Sequence, residues 1–194
     1  VAEYPALFAL PDKEGEIALL GNSMQIIDRL HYSSHMHSEF LSETEGISLE
    51  RIRAEEPTNE TSNWHSAAST AGYATPGYEN SQASASASEP DNITLAPAVF
   101  SPDGDGTDDA AILSLNPGDA GFIANICIYD DRGMIVKTLA AGALLGTETV
   151  MVWDGSRNDN TCAEIGIYLI YIELFNQKGI VKKYKKVVTL AKKL

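Results

Sequence analysis

Ile165-Gly166-Ile167-Tyr168-Leu169-Ile170-Tyr171-Ile172-Glu173-Leu174, the turn residues Asn176-Gln177-Lys178-Gly179, and the run from Ile180 to Leu190 together decide the fold class. Both runs are rich in β-branched and aromatic side chains and are bounded by Gly and Asn, so they read as two strands joined by a turn. The same pattern recurs upstream. Ile123-Ala124-Asn125-Ile126-Cys127-Ile128-Tyr129 alternates, meets Asp130-Asp131-Arg132-Gly133, and resumes from Met134 to Leu139, which predicts a hairpin. Thr149-Val150-Met151-Val152-Trp153 ends at Asp154-Gly155 as a further strand. Short strands between regular turn signals predict an all-β sandwich. No window of about eleven residues holds a 3.6-residue period, so helices are expected as single turns at most.

Working outward, the stretch from Asn80 to Asn92 is small, polar and of low complexity, with Ala-Ser repeated through its centre. It has nothing to bury, and ordering it costs entropy, so it reads as a linker. The expected organisation is a β-domain over residues 1–81, a Ser/Ala-rich linker over 82–92, and a β-sandwich over 93–194. In the first segment, Glu16 to Leu20 stops at Gly21-Asn22-Ser23 and Met24 to Tyr32 resumes with partial alternation, predicting a second hairpin. Ser48 to Arg53 alternates apolar with charged residues as a half-buried strand does, and Pro57 to Asn63 is loop.

With 194 residues and 44% hydrophobic content, the chain can bury one large core or two small ones, which excludes disorder throughout. Twenty-seven Asp and Glu against fourteen Lys and Arg give a net charge of −13, which argues against nucleic acid as a partner. No apolar run approaches the roughly 18 residues of a membrane-spanning helix. The first residues, Val1-Ala2-Glu3-Tyr4, carry neither an initiator Met nor a basic-then-apolar leader, so the chain is expected to be a piece of something longer. Charge is uneven. Lys178, Lys182, Lys183, Lys185, Lys186, Lys192 and Lys193 lie in a terminal stretch without acids. Such lysines either guard an edge strand or form a tail that an export or anchoring apparatus reads.

Of the residues that could carry chemistry, Asp103, Asp105 and Asp109 stand out. Alternating carboxylates on a loop softened by Gly104 and Gly106 can converge on one hard cation, with calcium the natural candidate. The EF-hand pattern is not met, because Asp108 stands where Gly is needed and Ser114 where the twelfth-position Glu belongs. The plainer reading is a turn whose carboxylates cap backbone amides. His31, His35, His37 and His65 invite zinc, since His35-Met36-His37 on a strand would aim two rings the same way, yet no third ligand follows at a favoured spacing. Neither Cys127 nor Cys162 belongs to a Cys/His group, and spacing leaves a disulfide and two free thiols both open. No serine sits in a nucleophile elbow and no glycine run forms a phosphate cradle, so no enzyme is expected. Trp64, Trp153, Tyr129 and Tyr168 could stack on a sugar, but core or corner positions in a sandwich suit them better.

Two resemblances add to this. From about Gly15 to Gln82 the chain resembles the C-terminal part of a bacterial lamin tail domain, through Ile27-Asp28 with Tyr32, Gly46-Ile47-Ser48-Leu49-Glu50-Arg51, Asn63-Trp64, and Ala74-Thr75-Pro76-Gly77 with Asn80-Ser81. That family is an immunoglobulin-like sandwich whose opening strands are not found here, so this copy is expected to be truncated at its N-terminus, with an incomplete core. From about Ile93 to Leu190 the chain resembles the immunoglobulin-like C-terminal modules of Bacteroidetes surface and gliding-motility proteins and of the flagellar hook-capping protein. The matching residues run from Phe100-Ser101-Pro102-Asp103-Gly104-Asp105-Gly106-Thr107-Asp108-Asp109 through Ile128-Tyr129-Asp130 and Trp153-Asp154-Gly155 to Gly166-Ile167-Tyr168. The resemblances imply two tandem immunoglobulin-like β-sandwiches in a non-catalytic C-terminal region of an exported protein. They place it outside the cell or on the outer-membrane surface, with the periplasm only in transit. Its expected roles are adhesion, display and type IX secretion sorting or anchoring, with secretion machinery engaged through the C-terminal strand and a surface protein or glycan as partner. The competing expectations are a calcium- or carbohydrate-binding module and an accessory region of an upstream secreted enzyme.

Overall fold

The computed structural model describes residues 10–84 and 92–192, and period-two alternation becomes strand almost wherever it was read. In the first segment β1 (Glu14–Leu20) and β2 (Ile26–Ser33) form one antiparallel hairpin, while β3 (Leu49–Arg51) and β4 (Trp64–Ser66) form a second small sheet. The second segment contributes β5 (Asn92–Ala96), β6 (Val99–Phe100), β7 (Ala111–Asn116), β8 (Ile123–Tyr129), β9 (Ile135–Leu144), β10 (Thr149–Trp153), β11 (Gly166–Phe175) and β12 (Val181–Leu190). Helical structure among the described residues is limited to three single 3-10 turns, at Ser34–Met36, Thr61–Asn63 and Ser69–Ala71.

The second segment is a β-sandwich of the immunoglobulin-like kind, with a three-stranded sheet ordered β10-β7-β5 facing a five-stranded sheet ordered β6-β12-β11-β8-β9. The hairpin that decides the fold from sequence, β11 with β12, is antiparallel over ten residue pairs from Gly166↔Leu190 to Phe175↔Val181. The short β6 then joins β12 in parallel, through Thr189↔Val99 and Leu190↔Phe100. Because alternate side chains point to opposite faces, the inward set of each sheet meets in one core. Leu113, Leu115 and Trp153 come from one layer, and Ile126, Ile128, Ile170, Ile172, Leu174 and Val188 from the other.

The motif residues of the second segment are structural. Trp153 is 1% exposed and sits edge-on to Phe100 and to Tyr168, with ring centroids 5.2 Å and 4.9 Å away. Its indole N–H donates to Ser156 O at 2.9 Å, so no buried donor is left unpaired. Gly155, at φ +79°, lies where a Cβ would stand 2.7 Å from Leu190, which explains glycine in this turn. At the start of β11 the Tyr168 hydroxyl donates to Glu164 O four residues upstream, a tyrosine-corner arrangement.

The first segment is built differently. The buried apolar cluster of the protein lies wholly between Ile93 and Leu190, and the first segment buries only Met36, Ala67 and Ala68 among its described apolar residues. Its centre is Glu50, 3% exposed, whose carboxylate accepts from the hydroxyls of Thr75 and Ser81 and from Gln82 N–H at 3.1 Å. Asn80 Nδ2 donates to Arg51 O at 3.0 Å, and Asn63 both accepts from Arg53 N–H and donates to Arg53 O. Of the residues that suggested a lamin tail domain, Glu50, Arg51, Asn63, Thr75, Asn80 and Ser81 take part in these bonds, whereas Asp28 and Tyr32 bond elsewhere, to Thr58 and Pro11. Among the described residues the segment has no second packed layer.

Residues 85–91, the heart of the expected linker, lie outside the described residues, as do 1–9 and 193–194. The edges of that linker are not loose. Gln82 is wholly buried, donating from Nε2 to Leu145 O at 3.0 Å and accepting from Gly121 N–H at 3.1 Å, and Asn92 opens β5. Thr147 N–H donates to Ser81 O at 2.8 Å, Ser69 Oγ donates to Leu144 O at 2.9 Å, and Phe40 packs edge-on against Phe175 at 5.5 Å. Backbone groups at loop ends need partners wherever water is excluded, and polar side chains of the first segment supply them.

Candidate functional site

The loop between β6 and β7 gathers all three aspartates picked out from sequence. One carboxylate oxygen from each of Asp103, Asp105 and Asp109 falls within 4.8 Å of the others, with Asp109 half-buried and the other two exposed. Positive φ at Gly104 (+77°), Gly106 (+86°) and Asp108 (+52°) coils the backbone tightly enough to bring them together. The same carboxylates also cap the loop. Asp109 accepts from Gly104 N–H at 2.7 Å and Gly106 N–H at 2.8 Å, Asp103 from Asp105 N–H at 3.1 Å, and Asp105 from Thr107 N–H at 2.8 Å. The Ser101 hydroxyl, which sequence reading passed over, adds a bond to Asp103 at 3.3 Å. Each carboxylate oxygen keeps a lone pair after accepting one bond, so self-capping and cation binding are compatible chemistries for this set.

The histidines do not assemble a metal centre. His35 lies within the 3-10 turn at Ser34–Met36 and His37 caps its end, so neither is on a strand, because Ser33 Oγ accepts from His35 N–H at 3.1 Å and starts a turn there. His31 Nε2 lies 2.8 Å from Glu16 on the outer face of the β1–β2 hairpin. His37 Nδ1 is 2.9 Å from Ser66 Oγ, and His65 Nδ1 is 3.1 Å from Ser66 O. Burial holds both imidazoles below the ordinary histidine value, and for His37 the neighbouring His65 pushes the same way. His65 also marks the seam between segments, since a Cβ on Gly121 would stand 2.6 Å from its Nε2. Among the described residues no third metal-ligating group joins them.

The remaining candidates separate cleanly. Trp153 and Tyr168 are core and corner residues, whereas Tyr129 is half-buried and Trp64 is half-buried with its N–H donated to Thr58 O at 2.8 Å. Cys127, in β8, and Cys162, exposed beyond β10, are both free thiols.

The lysine-rich strand β12 pairs along its whole length with β11, but on its other side only Thr189 and Leu190 meet β6. Among the described residues the outer edge from Val181 to Val188 is therefore open, and this stretch carries four lysines. Lys183 pairs with Glu173 at 2.9 Å, and Lys182 donates to Pro117 O at 2.9 Å while its ammonium sits 5.1 Å from the Phe122 ring centroid. Lys185 is exposed and Lys186 half-buried. Among the described residues no helix is long and apolar enough to cross a membrane.

The chain matches no protein-family model and has no significant match among curated proteins. Among solved structures it is similar to dimeric latent PorU from Porphyromonas gingivalis, at 18% identity over 54% of this chain and 10% of that one, with a TM-score of 0.41. It is similar to PorZ, a surface component of the type IX secretion system of the same organism, at 20% identity over 57% and 13% of the two chains, TM-score 0.34. FlgD from P. aeruginosa matches at 18% identity over 54% and 78%, TM-score 0.36. The chain spans 10% of the length of PorU and 13% of that of PorZ.

Proposed function

We propose that this chain is a non-catalytic region of an exported cell-surface protein, acting in display or adhesion, with β12 as the element that secretion or anchoring machinery engages. The observation that carries the reading is the open outer edge of β12. A ten-residue strand whose outer edge is unpaired from Val181 to Val188 among the described residues invites strand addition, and lysines along it both deter self-association and offer charge to an acidic receptor. The motif resemblance of the second segment to Bacteroidetes surface modules supports the same reading. Its test is the full parent protein in its own host carrying Lys185→Gln and Lys186→Gln, with surface delivery scored by protease accessibility on whole cells. Delivery is expected to fall severalfold while the purified variant melts at the wild-type temperature. Unchanged delivery would overturn the role of β12.

A second reading, calcium stabilisation, is favoured by the three carboxylates within 4.8 Å of one another. Millimolar calcium is expected to raise the melting temperature of the wild type and to leave Asp103→Ala and Asp109→Ala unmoved. A wild type indifferent to calcium would remove this reading.

A further inference from the structure

The β1–β2 hairpin has one charged and one apolar face. Glu16 pairs with both His31 and Arg29 on the first. Ile17, Leu19 and Leu30 line the second, which opens into a groove of about 880 Å³ whose other wall includes Ile47, Leu49 and Trp64. The groove is not filled by the described residues, since Ile17 is 46% and Leu19 59% exposed. Two large aliphatic side chains left this open on one sheet face are costly in water and gain by being covered.

The backbone beside the groove is open as well. Among the described residues β1 pairs only with β2. His31 N–H turns away from β1 and donates to Asn59 Oδ1 at 2.9 Å, whereas Ser34 N–H donates inward to Lys13 O at 2.7 Å. Alternation of the antiparallel ladder then makes Glu16↔His31 an outward-facing pair, so the N–H and C=O of Glu14, Glu16 and Ala18 point to the outer edge of β1. Asn59 caps the β2 edge; among the described residues nothing caps the edge of β1. Tyr32 also lines the groove, with its ring lying across Gly15 and its hydroxyl donating to Pro11 O at 2.8 Å.

A strand added to β1 would send alternate side chains to the two faces. One set would lie over Ile17 and Leu19. The other would stand beside Glu14 and Glu16. The groove lining also carries Asp12, Glu43 and Glu45, which form no ion pair among the described residues, against a single arginine, Arg29, already shared with Glu16. We infer that β1 is a docking edge for an extended peptide segment of alternating apolar and basic side chains. Main-chain bonds to the edge supply affinity, the groove accepts the apolar set, Glu14 and Glu16 on the opposite face select the basic set, and the acidic groove lining adds a negative field that disfavours an acidic segment.

The test titrates the full chain with two synthetic octapeptides, one alternating valine with lysine and one alternating valine with glutamate, by calorimetry and by amide chemical shifts. The lysine peptide is expected to bind at least tenfold more tightly than the glutamate peptide, to shift the amides of β1, and to weaken as salt rises. Leu19→Asp removes apolar surface from an exposed site, and Ala18→Pro removes an outward N–H without touching the β1–β2 ladder. Each is expected to weaken binding at least tenfold at an unchanged melting temperature. Failure of the lysine peptide to bind overturns the inference, as does equal binding of both peptides or binding indifferent to both variants. Binding that appears only in a Leu7→Asp, Phe8→Asp double variant would assign the groove to this chain's own first residues instead. A concentration-dependent dimer abolished by Leu19→Asp would assign it to a second copy.

Discussion

The two segments of this protein solve the same problem with opposite materials. The sandwich from β5 to β12 is held by a continuous apolar layer between two sheets, in which Ile126, Ile170, Ile172 and Leu174 are fully buried. The segment before it is held by a carboxylate, four short strands and a set of side-chain bonds to backbone, with Glu50 at the centre. The difference teaches where each is vulnerable. Apolar burial is non-directional and spread over many contacts, so a core tolerates small shifts. A buried carboxylate depends on every donor being in place, and loss of one member leaves others unsatisfied.

The strongest way to probe this contrast is Trp153→Ala, which opens a cavity beneath Phe100 and Tyr168 and also orphans Ser156 O. A loss of roughly 3–5 kcal/mol is expected from chemical denaturation, the range for removing a buried aromatic. Because Gln82, Ser69 and Ser81 are bonded to loops of the sandwich, protection of amides in the first segment is expected to fall with it. Independent survival of the first segment would break the view that it leans on the sandwich.

Glu50→Ala tests the other half. It leaves the Thr75 and Ser81 hydroxyls and the Gln82 N–H without their acceptor, at a cost of roughly 2–3 kcal/mol. Hydrogen exchange is expected to speed up around β3 and β4 while amides of β8 and β11 keep their protection. Equal loosening of both segments would show that the polar network is not a separate unit of stability.

The smallest effect concerns pH. His37 and His65 are held below the ordinary value of 6.5 by burial, so the unfolded chain binds protons more readily than the native one. Their contribution is fully present above about pH 6.5 and is lost as pH falls below it toward the native-state values. The melting temperature is expected to drop modestly between about pH 7 and about pH 5.5, and to drop less in His65→Gln, where the seam against Gly121 no longer carries a titrating ring. An identical drop in the variant would place the pH sensitivity elsewhere.

Much of the sandwich was legible because alternation and turn chemistry are local. β8, β10, β11 and β12 fall within a residue or two of the runs between Gly133, Gly155 and Gly179, and β9 extends five residues past Leu139. β6 was not legible because two residues carry no period, and β7 because Ile112, apolar yet 45% exposed, blurs the alternation of Ala111-Ile112-Leu113-Ser114-Leu115. The aspartate cluster was legible from its spacing and its glycines. His35-Met36-His37 would aim two rings one way only on a strand, and it forms a turn because Ser33, a capping residue, outweighs alternation over so short a run.

What the sequence by itself determined is the all-β class, the hairpins and the convergence of Asp103, Asp105 and Asp109, since each depends on neighbours within about ten residues and on the pleat's period of two. What only the tertiary structure decided lies between distant parts of the chain. Gln82 reads as linker until Gly121 and Leu145 are brought to it, and Glu50 reads as a solvated strand residue until Thr75 and Ser81 close over it. The edge of β1 reads as ordinary hairpin until the groove beside it is seen to be open. A polar side chain has no burial preference of its own to announce; it is buried where other backbone needs a partner, and the fold alone determines where that is.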